Sequence, residues 1–293
     1  MTGFSIDAAL RSGFSLARRE WKTVLAWGAG AFGLAILMQL LIMGPALPGY
    51  IAEVGTDPEG AAAAMEEAML AHAWLTYPLM ILAAFVTLAL FYGAVCRAML
   101  RPDERGFFYL RFGRGELWLL LTALALYGLM LLALIPAALL VGLVVAGISM
   151  AGGTPWFWAI LLCLPLGIGG LYVAARLSPA WIMAWDEERF VLADAWRLTR
   201  GHGWRIVLMM LALFFLLLIV MLVVLIPSAI VAFILVSVAG MAGGVGGTLV
   251  LAVLALAALV WISAYYGVFY TVALAPYVEV YRELKAGAVA AGP

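Results

Sequence analysis

Apolar residues run through this chain in long unbroken stretches, without the helical or alternating periodicity that would leave a polar face for water. Three stretches, 23–96, 115–175 and 206–281, contain no lysine or arginine. The basic residues gather in four clusters around them: Arg11 to Lys22, Arg97 to Arg114, Arg176 to Arg205, and Arg282 with Lys285. A hydrocarbon core takes about 20 helical residues to cross. Each stretch is therefore long enough for two crossings and too short for four. Cytoplasmic flanks of membrane helices carry the Lys/Arg excess, so each stretch must leave and return. The count is six.

The pattern predicts spans near 24–43, 75–96, 118–141, 156–176, 206–232 and 250–275. The expected fold is an all-α integral membrane protein, a single membrane domain whose six transmembrane helices form three repeated hairpins. A cytoplasmic amphipathic interfacial helix is expected before each hairpin. Both termini and all sixteen basic residues then lie in the cytoplasm, while Glu53, Asp57, Glu59, Glu66 and Glu67 lie outside. The apolar run after Lys22, about 20 residues long, exceeds the 7–15-residue core of a signal peptide. Residues 44–48 also lack a small-x-small cleavage site, so this run is expected to be retained as the first membrane helix.

The hairpins have similar preludes. Phe14-Ser-Leu16-Ala-Arg18-Arg-Glu-Trp21 precedes the first, Leu110-Arg-Phe112-Gly-Arg114-Gly-Glu-Leu-Trp118 the second, and Trp196-Arg-Leu198-Thr-Arg200-Gly-His-Gly-Trp204 the third. Leu134-Ile-Pro136-Ala-Ala recurs as Leu225-Ile-Pro227-Ser-Ala, more loosely as Leu41-Ile-Met-Gly-Pro45-Ala. These matches define repeat units of approximately 4–96, 107–176 and 187–282, related by an axis along the membrane normal. Wound as a helix, residues 6–21 put Ile6, Ala9, Leu10, Gly13, Phe14, Ala17 and Trp21 on one face, opposite Asp7, Arg11, Ser15, Arg18 and Arg19. Residues 187–200 separate in the same way. Such helices suit the membrane surface, where each basic side chain near anionic headgroups is worth about 1 kcal/mol. The candidate headgroup contacts are Arg11, Arg18, Arg19, Trp21, Lys22, Arg111, Arg114, Trp118, Arg197, Arg200, Trp204 and Arg205.

Outside, Asp57-Pro58-Glu59 followed by an alanine-rich run reads as the start of a short helix: N-cap, proline at the first position, acid in the first turn. Pro136 and Pro227 are expected to kink long helices. Gly28, Ala29, Gly33, Gly170 and Ala174 are the small residues expected to let helices approach closely. The glycines at 240, 243, 244 and 247 are read as an uncharged outer turn.

Composition agrees and narrows the function classes. Two-thirds of the residues are hydrophobic (67%), 11% are charged, and the mean hydropathy is +1.14. A soluble domain carries about 25% charged residues, so the solvent for this chain is lipid. Net charge is zero, which removes nucleic-acid binding by bulk charge. Fourteen of the sixteen basic residues are arginine, in keeping with a GC-rich bacterial genome and an inner-membrane address. Both cysteines, Cys96 and Cys163, fall in apolar segments, so no disulfide framework is expected.

Within the predicted spans the one ionisable residue is Arg176, at an inner end; intramembrane catalysis and proton coupling normally need more. The two histidines, His72 and His202, fall on opposite sides and cannot share a site. Gly28-Ala-Gly30-Ala-Phe-Gly33 matches a dinucleotide fingerprint letter for letter, but it sits inside an apolar helix with no preceding strand. Asp186-Glu187-Glu188 with His202 reads as acids at a helix start rather than as a metal site. No catalytic residue, cofactor or metal is expected. The expected partners are membrane lipids, with anionic headgroups on the cytoplasmic face, and further copies of the chain.

The acids at 186–188 followed by Trp196-Arg-Leu-Thr-Arg-Gly-His-Gly-Trp204-Arg205 resemble a group of bacterial multi-helix membrane proteins, stand-alone relatives of the membrane domain fused to some glycerophosphodiester phosphodiesterases. The motif is short, though the likeness could extend over the whole chain. The resemblance implies a multi-helix membrane fold. It implies no phosphodiesterase activity, because the hydrolase of the fused enzymes is a separate soluble domain with nothing corresponding here. The functional expectation is a non-enzymatic inner-membrane protein that organises lipid or partner proteins. A transporter or channel for lipid-like or apolar molecules is the alternative.

Overall fold

A computed structural model describes residues 4–44, 47–53, 57–71, 73–104, 106–242 and 244–290. Among them there is helix and no strand. The order is α1 (Ile6–Arg19), α2 (Trp21–Met43), α3 (Leu47–Glu53), α4 (Pro58–Ala71), α5 (Ala73–Leu100), a 3-10 turn (Phe107–Tyr109), α6 (Arg114–Met150), α7 (Pro155–Leu177), α8 (Ala180–Glu187), α9 (Leu192–Leu198), α10 (Gly203–Ala242) and α11 (Gly244–Ala290). Six of these, α2, α5, α6, α7, α10 and α11, are long and apolar enough to cross a membrane. The chain fits a multi-pass membrane protein.

Helix starts follow local chemistry. Ser5 caps α1 by accepting from the Ala8 amide at 3.3 Å, with Asp7 in the first turn and Arg18 and Arg19 in the last. Asp57 caps α4, its Oδ1 accepting from the Gly60 amide at 3.0 Å, as Asp57-Pro58-Glu59 predicts. Pro155 opens α7 at a position where its missing N–H costs nothing. The long helices overrun the predicted spans. Residues 142–150 continue α6, and of the expected glycine turn Gly240 lies in α10, Gly244 and Gly247 lie in α11, and Gly243 lies outside the described residues. Apolar residues in lipid gain nothing by leaving a helix, where every backbone group is satisfied. Both α6 and α10 run unbroken through Pro136 and Pro227.

Around the bundle the spanning helices neighbour one another in the order α2, α11, α10, α7, α6, α5, with α5 closing on both α2 and α11. Packing is concentrated at one end, here the basic end, where α2, α6 and α10 begin. There α2 buries Thr23, Val24, Trp27, Gly28 and Ala31, and α6 buries only Gly115, Glu116, Leu119, Thr122 and Ala123. Helix α5 is buried from Phe91 to Ala98, and α11 from Thr271 onward along one side. Toward the far end, side chains such as Leu132, Ile135, Leu143, Phe214, Val223 and Leu256 are exposed. The accessible surface is 17607 Å² for 31.4 kDa. A compact monomer of that mass exposes about 12,000 Å². The helices are locked at the basic end and spread at the other.

The expected prelude helices are met unevenly. Helix α1 exists, but it lies on α11 and buries Ala9, Gly13 and Leu16 there, leaving Phe14 and Trp21 exposed. Before the third hairpin, α9 is seven residues long. Before the second no such helix forms: the 3-10 turn leads into extended backbone at Leu110 and Gly113. Phe108 and Tyr109 are left-handed, with φ of 50° and 58°, which a bulky side chain adopts only under constraint.

Candidate functional site

The constraint on this turn comes from far away in sequence. Arg97, near the end of α5, donates to the Tyr109 carbonyl and, at 3.3 Å, to the Arg111 carbonyl. Trp27 Nε1 on α2 donates to the Phe108 carbonyl at 2.7 Å. The carbonyls that a helix would pair internally are taken by side chains instead. This is why the apolar-x-apolar-x-Arg pattern, helical before the first hairpin, is extended before the second.

Arg97 is also ion-paired with Glu116, and both are buried. Glu116 Oε1 accepts from Arg97 and, at 2.7 Å, from Trp185 Nε1; Oε2 accepts from the Gly113 amide at 2.9 Å, close to the α6 N-terminus. A buried carboxylate needs such saturation with donors, and a helix N-terminus favours its charge. Small residues make room: a Cβ on Gly93 would lie 2.5 Å from Glu116 Oε1, and one on Gly115 would lie 2.9 Å from the Trp185 ring. Arg97 and Glu116 fall just beyond the predicted limits of 96 and 118, and the helices extend past those limits.

Beside this lock lies a second network. Arg101 sits 4.8 Å from the Trp185 ring centre and 3.5 Å from Asp186 Oδ1. Asp186 Oδ2 accepts from Tyr281 Oη at 2.8 Å and from Lys285 Nζ at 2.6 Å. The two networks tie α5, α6, α8 and α11 together. Asp186 is therefore spent on cations, Glu187 pairs with Arg189, and the His202 ring faces the Arg200 carbonyl. At the end of α7, Arg176 donates to the Trp196 carbonyl, lies 3.9 Å over the Trp196 ring, and meets Thr199.

The headgroup candidates lie at or near the basic end. Arg11 pairs with Asp7 on an exposed face, Arg18 is exposed, and Arg19 reaches the Ala98 carbonyl at 3.3 Å. Trp21 is exposed with Lys22 over its ring; Arg111 and Arg114 are exposed, and Trp118 is half-buried. Arg197 is near Asp194, Arg200 is exposed, Trp204 meets Tyr172 with the rings tilted and 5.3 Å apart, and Arg205 lies over Phe4. Of the small residues singled out for packing, Gly28 meets α11 so closely that a Cβ would lie 1.7 Å from the Ser263 carbonyl oxygen. Ala29, Gly33, Gly170 and Ala174 are exposed, with nothing near Gly33 or Gly170. Gly267, opposite Val24, was not singled out; its isolation among large residues gave no periodic signal. Pro136 and Pro227 face away from the core.

Comparison with protein-family models, with curated proteins and with solved structures gives no match.

Proposed function

We propose that this chain is a non-enzymatic membrane protein that organises lipid or partner proteins, as an oligomer that shapes or stabilises the membrane. One observation carries the reading: the basic end is locked by the buried Arg97–Glu116 pair and the Asp186 network beside it, while the far halves of the helices present largely exposed apolar side chains. Their neighbours are then lipid chains or helices of another subunit. The open small residues Ala29, Gly33, Gly170 and Ala174 suit close approach by such helices.

A threefold origin has added support in the order of contacts. The end of α5 grips the segment before the second hairpin through Arg97, and the end of α7 grips the segment before the third through Arg176. The end of α11 holds the segment before the first, with Glu283 accepting from the Ser5 amide at 2.9 Å. Each hairpin thus holds the next, in a cycle. Tyr92 with Arg97, Tyr172 with Arg176 and Tyr277 with Arg282 repeat near the corresponding helix ends.

The address is a bacterial inner membrane with both termini in the cytoplasm, and the charge asymmetry of the loops is its support. Reporters fused after Gly60 and Gly153 are expected to be active only outside the cytosol; cytosolic activity at either would reverse the topology. Extraction with native lipid is expected to yield a defined assembly with lipid or partner helices against α6 and α7. A lipid-free monomer that leaves membrane shape unchanged on overexpression would defeat the functional reading. The alternative, a transporter for lipid-like or apolar solutes, draws on the one-sided opening. It expects uptake into proteoliposomes that is lost when Tyr265, Tyr266 or Tyr270 is changed. Tyr266 and Tyr270 pack on Phe32 and Phe91, which favours a structural role for them.

A further inference from the structure

We propose that the segment 106–114 is a docking surface for the anionic face of a lipid bilayer, an inference that rests on the lipid-organising reading above and assigns it a site. Phe107 is 78% exposed, Phe112 54% and Phe108 40%, although a chain this apolar has abundant core to offer them. Their exposure is enforced. Trp27 and Arg97 hold the carbonyls of Phe108, Tyr109 and Arg111, and the left-handed backbone at Phe108 and Tyr109 carries a cost that the rest of the fold sustains. Strain retained to keep aromatic rings outside the protein marks a surface that something else covers.

The charge pattern selects the partner. Among the described residues neither Arg111 nor Arg114 is drawn into an ion pair, and both are exposed. The loop's acids, Asp103 and Glu104, are exposed at the rim of a hollow of ≈ 320 Å³ that Arg97, Tyr109 and Arg111 also line. Glu104 lies 3.9 Å from Arg97 and 3.8 Å from Arg101. The segment joins α5 to α6, two spanning helices, so it sits at the depth where aromatic rings and arginines meet headgroups. Apolar rings held beside unpaired cations match an anionic bilayer surface. A folded soluble partner would have to reach into the headgroup layer to cover them.

The test uses the full chain with Cys163→Ala, leaving Cys96 buried, and an environment-sensitive fluorophore on Phe112→Cys. The labelled protein is reconstituted in phosphatidylcholine vesicles with or without phosphatidylglycerol; Asp103→Cys is the control position. At 112 the emission is expected to rise severalfold with the anionic lipid and to be quenched by headgroup-level spin-labelled lipid, while the label at 103 stays in water. Arg111→Gln and Arg114→Gln should each weaken the response by about fivefold in partitioning. A label at 112 as wet as that at 103 in both vesicles overturns the proposal, as does burial that ignores lipid charge. Loss of fold is read separately from the elution profile, with the exposed Arg variants as a second probe. The readout concerns one segment in defined vesicles, so it can fail while the native assembly retains lipid, and can succeed where the assembly does not form.

Discussion

Glu116 shows how a charge survives inside a bundle built for lipid. Its two oxygens receive three donors from α5, α8 and the chain just before α6, and the two side-chain donors, Arg97 and Trp185, are themselves buried. Removing one member of a buried pair strands the other, at a cost of about 3–5 kcal/mol. Glu116→Leu should therefore destabilise the detergent-solubilised protein by that order, and Trp185→Phe by about 1–3 kcal/mol for one hydrogen bond to a charged acceptor. Thermal unfolding of the single and double variants at Arg97 and Glu116 checks this. Their effects should be non-additive by about 0.5–3 kcal/mol; simple additivity would mean the two side chains do not act as a pair. The glycines offer a second contrast at this scale. Gly28→Val must push apart α2 and α11, since a Cβ there meets the Ser263 backbone, whereas Gly33→Val meets open space. The first should lower the melting temperature markedly and the second should leave the monomer's unchanged.

At the scale of elements, α1 depends on one close approach. A Cβ on Gly13 would lie 2.7 Å from the Val272 Cα, an atom that cannot move aside without displacing α11. Gly13→Val is expected to lift α1 while the six-helix bundle remains. Limited proteolysis would then cut within residues 6–19, and amide exchange would rise there and not in α5. Uniform exchange in the variant and the parent would mean α1 docks by other contacts. The same helix illustrates what the sequence could and could not disclose. Its caps, its charges and its two faces are local, as is the Asp57-Pro58 start of α4, and local pattern suffices to read them. The prelude to the second hairpin has nearly the same letters, yet it is extended, because Arg97 and Trp27 take its carbonyls from positions 12 to 81 residues away. No window over 107–118 contains that information. The Arg97–Glu116 lock was hidden for a related reason: each residue by itself looks like an interface anchor, and only the close packing of α5 on α6 and α8 makes them a buried pair.

For the whole molecule, the six crossings follow from where cations stop and apolar runs begin, whereas the spread of the far halves follows from length. The uncharged run of α6 from Leu117 to Met150 measures about 51 Å at 1.5 Å per residue. A helix tilted by about 40°, the upper end of the usual range, passes only about 39 Å through a 30 Å hydrocarbon core. Helices α10 and α11 are longer still. The excess must lean, thicken the bilayer around it, or be covered by another subunit, and a base closed by ion pairs directs that adjustment to the far end. Longer lipid chains should therefore relieve the mismatch. Reconstituted in lipids of short, medium and long acyl chain, the protein is expected to gain exchange protection between residues 129 and 140 of α6 and between 218 and 234 of α10 as the bilayer thickens. Protection of Phe91 to Ala98 in α5 should stay constant. Because the two regions belong to one chain and one experiment, the locked base serves as the internal standard. If far-half protection were equally high in the thinnest bilayer, protein contacts and not lipid would be covering those faces, and the oligomer would have to be closed along its whole length.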